Sequence, residues 1–82
     1  MNKDEIRALL LRIVNEPGYR DLLIADPVQA LAQAGITFAQ TDVPVGGVKL
    51  PSNEDIEAKL DELTNTVESA KSHITALLYL GG

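Results

Sequence analysis

Residues 26–36 read Asp-Pro-Val-Gln-Ala-Leu-Ala-Gln-Ala-Gly-Ile and contain both the start signal and the stop signal of one helix. Asp26 is a favoured N-cap residue, and Pro27 suits the first helical position because its φ is fixed and its nitrogen carries no hydrogen. Gly35 suits the left-handed position just after a helix, with Ile36 placed to pack back on the last turn. The stretch therefore predicts a short helix that ends before Gly35.

Two further helices are predicted before this one. Asn2 can accept a hydrogen bond from the Glu5 N–H while the Glu5 side chain reaches back, which is a capping box. Apolar residues follow at helical spacing: Ile6, Leu9, Leu10, Ile13 and Val14. Pro17 ends this first helix near Asn15, and a second, shorter helix is predicted over residues 18–25.

Residues 37–51 have a different pattern, with short β-type side chains interrupted by Pro44 and by Gly46-Gly47. The apolar residues are Val43, Val45, Val48 and Leu50. Proline restricts such a stretch to an edge strand, whose free backbone groups another protein's sheet can complete. We expect an extended edge strand or linker here that binds a partner, with an ordinary hairpin arm as the alternative.

Residues 52–72 predict an amphipathic helix with Ser52 as its N-cap. Apolar residues recur at alternating steps of four and three, as in a coiled-coil seam: Ile56, Leu60, Leu63, Val67, Ala70, Ile74 and Leu77. Residues 64–66 are poor helix formers, so we expect a firm helix over 53–63 and fraying beyond it. The seam packs either on the chain's own core or against a second copy.

The composition indicates one small globular domain. The chain has 82 residues, of which 45% are apolar and 23% charged. Its 12 acidic and 7 basic side chains give a net charge of −5, which argues against a nucleic acid or an anionic membrane as partner. Without cysteine, disulfides and Cys-zinc sites are excluded. No apolar run approaches the length of a membrane span, which is about 18 residues. We therefore expect a soluble cytoplasmic protein.

These patterns together predict a mainly α fold, with two to three short helices, one extended edge strand and one longer C-terminal helix. We expect it to be partly disordered when free, because so small a core seldom supplies more than about 3–5 kcal/mol. The predicted division is a helical segment (1–36), a strand or linker (37–51), an amphipathic helix (52–72) and an apolar tail (73–82).

No catalytic, metal or cofactor site is expected. His73 is the only histidine and has no second ligand at metal spacing. The adjacent carboxylates in Glu54-Asp55 and in Asp61-Glu62 point about 100° apart on a helix, so neither pair shares a reacting atom. Gly46-Gly47 lacks the lysine and the helix start of a phosphate loop. We therefore expect a protein that is not an enzyme.

Residues 16–36, EPGYRDLLIADPVQALAQAGI, resemble the N-terminal segment of nitrile hydratase α subunits, where a DP-x-[FY]-R-x-x-LL-x-DP-x-x-AL-x-x-x-GI pattern makes two helices. Glu16-Pro17 stands where the family has its first Asp-Pro, and residues 43–50 continue the similarity loosely. The family's cysteine-rich metal loop is absent. The chain thus resembles nitrile-hydratase-like leader peptides, the proteusin-type precursors of ribosomally made, post-translationally modified natural products.

This resemblance implies a leader that is bound by a maturation enzyme, often through a winged-helix domain that captures leader backbone as an added strand. The implied docking residues are the apolar residues of 43–50 (Val43, Val45, Val48 and Leu50). A second docking surface would lie around Asp26-Pro27 (Tyr19, Leu22, Leu23, Asp26, Pro27 and Leu31). The candidate modification region is the tail, with Ile74, Leu77, Leu78, Tyr79, Leu80 and Gly81.

Several alternatives stay open. Leaders of this group usually end in Gly-Gly before the core peptide, so residues 73–82 are either the core or the end of the leader. A radical-SAM enzyme is one candidate maturase, but the class that excises tyramine acts at Tyr-Gly, and Leu80 separates Tyr79 from Gly81. The competing functions are a non-enzymatic homodimer or scaffold joined along Ile56–Leu77, and a fragment of a hydratase-like enzyme whose metal ligands come from a second protein.

Overall fold

The computed structural model describes all residues, Met1–Gly82, and confirms the mainly α fold. Its helices are α1 (Lys3–Asn15), α2 (Pro17–Ala25), α3 (Pro27–Gln33), α4 (Asn53–Ala58), α5 (Leu60–Ser69) and α6 (His73–Leu78), with a 3₁₀ turn at Gln40–Asp42. Partial disorder of the free chain stays a prediction.

Helix α1 begins as predicted. The Asn2 side chain accepts from the Glu5 N–H at 2.8 Å, and the Glu5 carboxylate accepts from the Asn2 N–H at 3.0 Å. The predicted apolar stripe faces the interior, with Ile6, Leu10 and Ile13 fully buried. This reciprocal cap satisfies two of the backbone donors that a helix start leaves unpaired.

Helix α3 has both predicted ends. The Asp26 carboxylate accepts from the Gln29 N–H at 3.3 Å, and Pro27 occupies the first turn. At the other end, Gly35 has φ +80, and the Ile36 N–H donates to the Leu31 carbonyl at 2.9 Å. This is a Schellman motif, which needs a residue that tolerates positive φ.

The predicted edge strand at residues 43–50 is wrong, because these residues form no strand. After Pro44 the chain turns: Gly46 and Gly47 have φ +91 and +92, and the Gly47 N–H donates to the Pro44 carbonyl at 3.0 Å. A left-handed pair of glycines reverses direction where a strand would continue. The residues nevertheless lie outside the helices, as the proline and glycine pattern requires.

The prediction of a single helix over 52–72 is also wrong. Lys59 leaves the helical region (φ −123, ψ 27) and separates α4 from α5. Helix α5 continues through residues 64–66 to Ser69, and the buried Thr64 hydroxyl donates to the Leu60 carbonyl at 2.7 Å. Fraying of its end stays a prediction. The break lets both α4 and α5 pack against α1, which buries Ile56 and Val67.

The core is one cluster centred on α1, which contacts α2, α4 and α5. Its buried members are Ile6, Leu9, Leu10, Ile13, Tyr19, Leu23, Ala30, Leu31, Ile56, Val67, Leu77 and Leu78. The last two come from α6, so the C-terminal tail is part of the core. None of the helices is both long and apolar enough to cross a membrane.

Candidate docking segment

The 43–50 segment lies on the surface between the 3₁₀ turn and α4. Its Val45 side chain is 100% exposed, whereas Val43, Val48 and Leu50 are half-buried. The Val48 and Leu50 side chains pack against the core cluster. One apolar side chain is therefore presented to solvent in full, and its neighbours anchor the segment to the fold.

Two of the four backbone N–H groups of residues 47–50 donate to no backbone carbonyl. The Lys49 N–H donates to the Leu78 carbonyl at 2.8 Å, and the Lys49 carbonyl accepts from the Gly81 N–H at 2.8 Å. The N–H groups of Val45, Val48 and Leu50 donate to no backbone carbonyl. Because backbone groups alternate in direction along an extended chain, the N–H groups of Val48 and Leu50 point away from the tail that Lys49 bonds.

Both ends of the segment are held by the C-terminal tail. At the start, the Ser72 hydroxyl donates to Thr75 Oγ1 at 2.9 Å, and that hydroxyl donates to the Asp42 carbonyl at 3.4 Å. At the end, Lys49 makes its two bonds to the tail. Between these points, the Val43 N–H donates to the Gln40 carbonyl at 3.2 Å, the Gly47 N–H donates to the Pro44 carbonyl at 3.0 Å, and the Val48 side chain packs against the core.

A shallow apolar groove of about 520 Å³ separates this loop from α6. It is lined by Pro44, Val45, Ser72, Thr75, Ala76 and Tyr79. The Tyr79 side chain is 46% exposed. Together with Val45 it forms an exposed apolar surface.

Most of the second predicted docking surface lies inside the fold. Tyr19, Leu23, Leu31 and Pro27 are buried, Leu22 is half-buried, and only Asp26 is exposed, where it caps α3. The burial of these residues gives them a structural role in the free chain.

Tyr19 illustrates that structural role. Its hydroxyl donates to the Ala30 carbonyl at 2.7 Å, and the Arg12 guanidinium lies 4.2 Å from the ring centroid. Burial raises the pKa of the Tyr19 phenol above 10.0; the positive charge of Arg12 partly opposes this rise, and Glu16 adds to it. The ring thus joins α1, α2 and α3.

The candidate modification region is folded rather than extended. Leu77 and Leu78 are fully buried, Ile74 and Leu80 are half-buried, and Tyr79 and Gly81 are exposed. An enzyme that acts on the leucines must first release them from the core.

The polar residues singled out in the sequence lie in three different helices. His73 is half-buried at the start of α6, and no group of three or more His, Asp or Glu side chains could hold a metal ion. Asp61 forms an ion pair with Arg7, and the Glu54-Asp55 pair is exposed in the first turn of α4. These carboxylates belong to a solvated acidic face.

Sequence reasoning missed the backbone bonds that join Lys49 to Leu78 and Gly81. The partners are about thirty positions apart in sequence and carry no local pairing signal, since pairing across such a separation depends on the whole fold. The glycine at position 81 is the one visible hint, because glycine marks sites of close backbone approach.

No protein-family model matches this chain, and neither does any curated protein or any solved structure. What indicates the function is therefore the chain's own surface, together with the resemblance of residues 16–36 to nitrile-hydratase-like leader peptides.

Proposed function

We propose that this protein is a precursor or leader peptide that carries out no catalysis itself. A maturation enzyme binds it through the 43–50 segment and modifies the C-terminal tail, residues 73–82. The observation that supports this most directly is that the N–H groups of Val48 and Leu50 have no backbone partner, in the same segment as the fully exposed Val45.

Unpaired backbone N–H groups outside the helices fit a partner that supplies a strand. Backbone hydrogen bonds to the N–H groups of Val48 and Leu50 would give affinity, and a pocket for Val45 would give specificity. A winged-helix domain with a free strand edge provides both, and the resemblance to nitrile-hydratase-like leaders points to the same kind of partner. The net charge of −5 disfavours a nucleic acid in this role.

The tail is well placed for such an enzyme. Lys49 pairs with the tail through one edge, so an enzyme strand on the other edge lies two strand spacings, about 10 Å, from the tail. Tethering in this way raises the local concentration of a weakly bound tail to about millimolar. The enzyme can then tolerate variation in the tail, because affinity resides in the docking segment. Under this proposal, the protein and its enzyme are both located in the cytoplasm.

The test is co-expression of the full chain with a maturation enzyme encoded beside its gene, followed by intact-mass and fragment analysis. We expect a mass change confined to residues 73–82. Replacing Val45 and Val48 by aspartate should reduce the modified fraction at least about tenfold, because charge is expensive in a strand-pairing interface. Ala39→Asp is the matched control, since Ala39 is exposed in the same connection but precedes the segment.

Two outcomes contradict the proposal at different points. An unchanged mass of the wild-type chain contradicts the precursor function. Equal modification of the wild-type chain and the Val45→Asp/Val48→Asp variant contradicts docking through the 43–50 segment.

A further inference from the structure

The tail approaches the backbone of the rest of the chain closely at Gly81. A Cβ atom at this position would lie 2.5 Å from the Leu50 carbonyl carbon, 2.6 Å from its oxygen and 2.9 Å from the Pro51 nitrogen. Real Cβ atoms do not approach backbone atoms so closely, and neither Leu50 nor the buried Pro51 can move aside as a side-chain tip could. Only glycine lets the tail lie this close.

The same contact is where the tail is hydrogen-bonded. The Gly81 N–H and the Leu78 carbonyl engage the two backbone groups of Lys49, both at 2.8 Å. The bonds close residues 78–82 over the end of the 43–50 segment. Behind them, the side chains of Leu77 and Leu78 are fully buried.

We infer that residues 78–82 form a latch, which in its closed position withholds the tail from chemistry and in its open position releases it. Opening breaks the two Lys49 bonds, exposes the Leu78 side chain, and frees both backbone groups of Lys49. This consequence for modification rests on the proposed function, whereas the latch itself is a property of the free chain.

Because few interactions hold the latch closed, it should open readily. The latch is held by two backbone hydrogen bonds and by the burial of the Leu78 side chain, and the loss of one such bond corresponds to about a tenfold change in the open population. The helices behind it are held by the whole core. Local opening of the last residues should therefore occur well before global unfolding.

The first test measures amide hydrogen exchange in the full chain and in Gly81→Ala. We expect the amides of Lys49 and residue 81 to exchange at least about tenfold faster in the variant, because the added methyl group prevents closure. Amides inside α1 and α3 should keep their rates. Gly18→Ala is the matched control, because a Cβ there meets nothing within 4 Å. Unchanged protection of the Lys49 amide in Gly81→Ala would overturn the latch.

A second pair of variants guards against a general loss of structure in Gly81→Ala. Lys49→Pro removes the N–H that bonds the Leu78 carbonyl, while Lys49→Ala keeps that N–H and removes the same exposed side chain. Faster exchange of the residue 81 amide in Lys49→Pro but not in Lys49→Ala supports the latch. Equal exchange in both variants overturns it.

The functional consequence is measured as the modification rate of the same variants with the maturation enzyme. A faster rate in Gly81→Ala than in Gly18→Ala is expected, because the open tail is the substrate. An equal or slower rate, in a variant whose Lys49 amide has lost protection, would show that opening does not limit modification and would overturn this consequence. If the wild-type chain is never modified, the proposed function fails while the exchange data still decide the latch.

Discussion

Tyr19 carries a large share of the packing between the first three helices. Its ring is 4% exposed, its hydroxyl donates to the Ala30 carbonyl, and Arg12 covers one face. Ionisation of this phenol would place a negative charge in the core, which is why burial raises its pKa above 10.0. The ionisation of Tyr19 therefore reports whether the packing among α1, α2 and α3 is intact.

The raised pKa of Tyr19 predicts a loss of stability at alkaline pH. Above the ordinary pKa of 10.0, the unfolded chain releases the phenol proton while the folded chain retains it. The stability that depends on this proton is complete below that pH and declines as the pH rises through the folded pKa. Urea unfolding at pH 8 and 10.5 should therefore show a smaller decline for Tyr19→Phe than for the wild-type chain. A parallel decline in both proteins would contradict this assignment.

Tyr19→Phe should also lower the free energy of unfolding at neutral pH by about 1 kcal/mol, because it removes the hydrogen bond to Ala30.

Loss of the N-cap of α3 should lower the free energy of unfolding by a similar amount. Asp26→Ala should cost about 1 kcal/mol, whereas Asp21→Ala, which removes an exposed carboxylate from α2, should cost little. Equal effects of the two aspartate variants in urea unfolding would contradict the capping role.

The elements differ in how well sequence alone anticipates them. Both ends of α3 are determined by contacts within a few residues, and the structure has them where Asp26 and Gly35 predict. The break at Lys59 has no such local signal, since lysine is a good helix former. It arises because α4 and α5 must each reach α1, a requirement that only the assembled fold imposes.

The 43–50 segment shows the same limit at the candidate site. Its valines favour a strand, but Pro44 and the two glycines turn the chain, and its backbone partner in the tail is distant in sequence. Exposure of Val45 and the location of the segment outside the helices follow from the local pattern. The two backbone hydrogen bonds between Lys49 and the tail do not follow from the local pattern.

Helix α6 is an integral part of the core, to which it contributes Leu77 and Leu78. Leu77→Ala should reduce the free energy of unfolding by about 2–5 kcal/mol, since the Leu77 side chain is fully buried. Val45→Ala truncates an equally apolar but entirely exposed side chain and should change stability by less than about 0.5 kcal/mol. Urea unfolding of both variants provides the check, and similar small effects would mean that the tail does not belong to the fold.

At the scale of the whole molecule, the apolar seam from Ile56 to Leu77 is used within the chain. Ile56, Val67 and Leu77 are fully buried, and two interruptions divide the seam among α4, α5 and α6. No continuous heptad face is left for a second copy. Sedimentation at micromolar concentration should therefore show a monomer, and a stable dimer with a sharp thermal transition would favour the scaffold function instead.

The 43–50 segment carries unpaired backbone N–H groups, and the proposed function depends on an enzyme binding there. Amide hydrogen exchange of the full chain, measured with and without the maturation enzyme, tests this most directly. We expect new protection at the N–H groups of Val45, Val48 and Leu50, which are unpaired in the free chain. Unchanged exchange at these three amides while the enzyme is bound would contradict it.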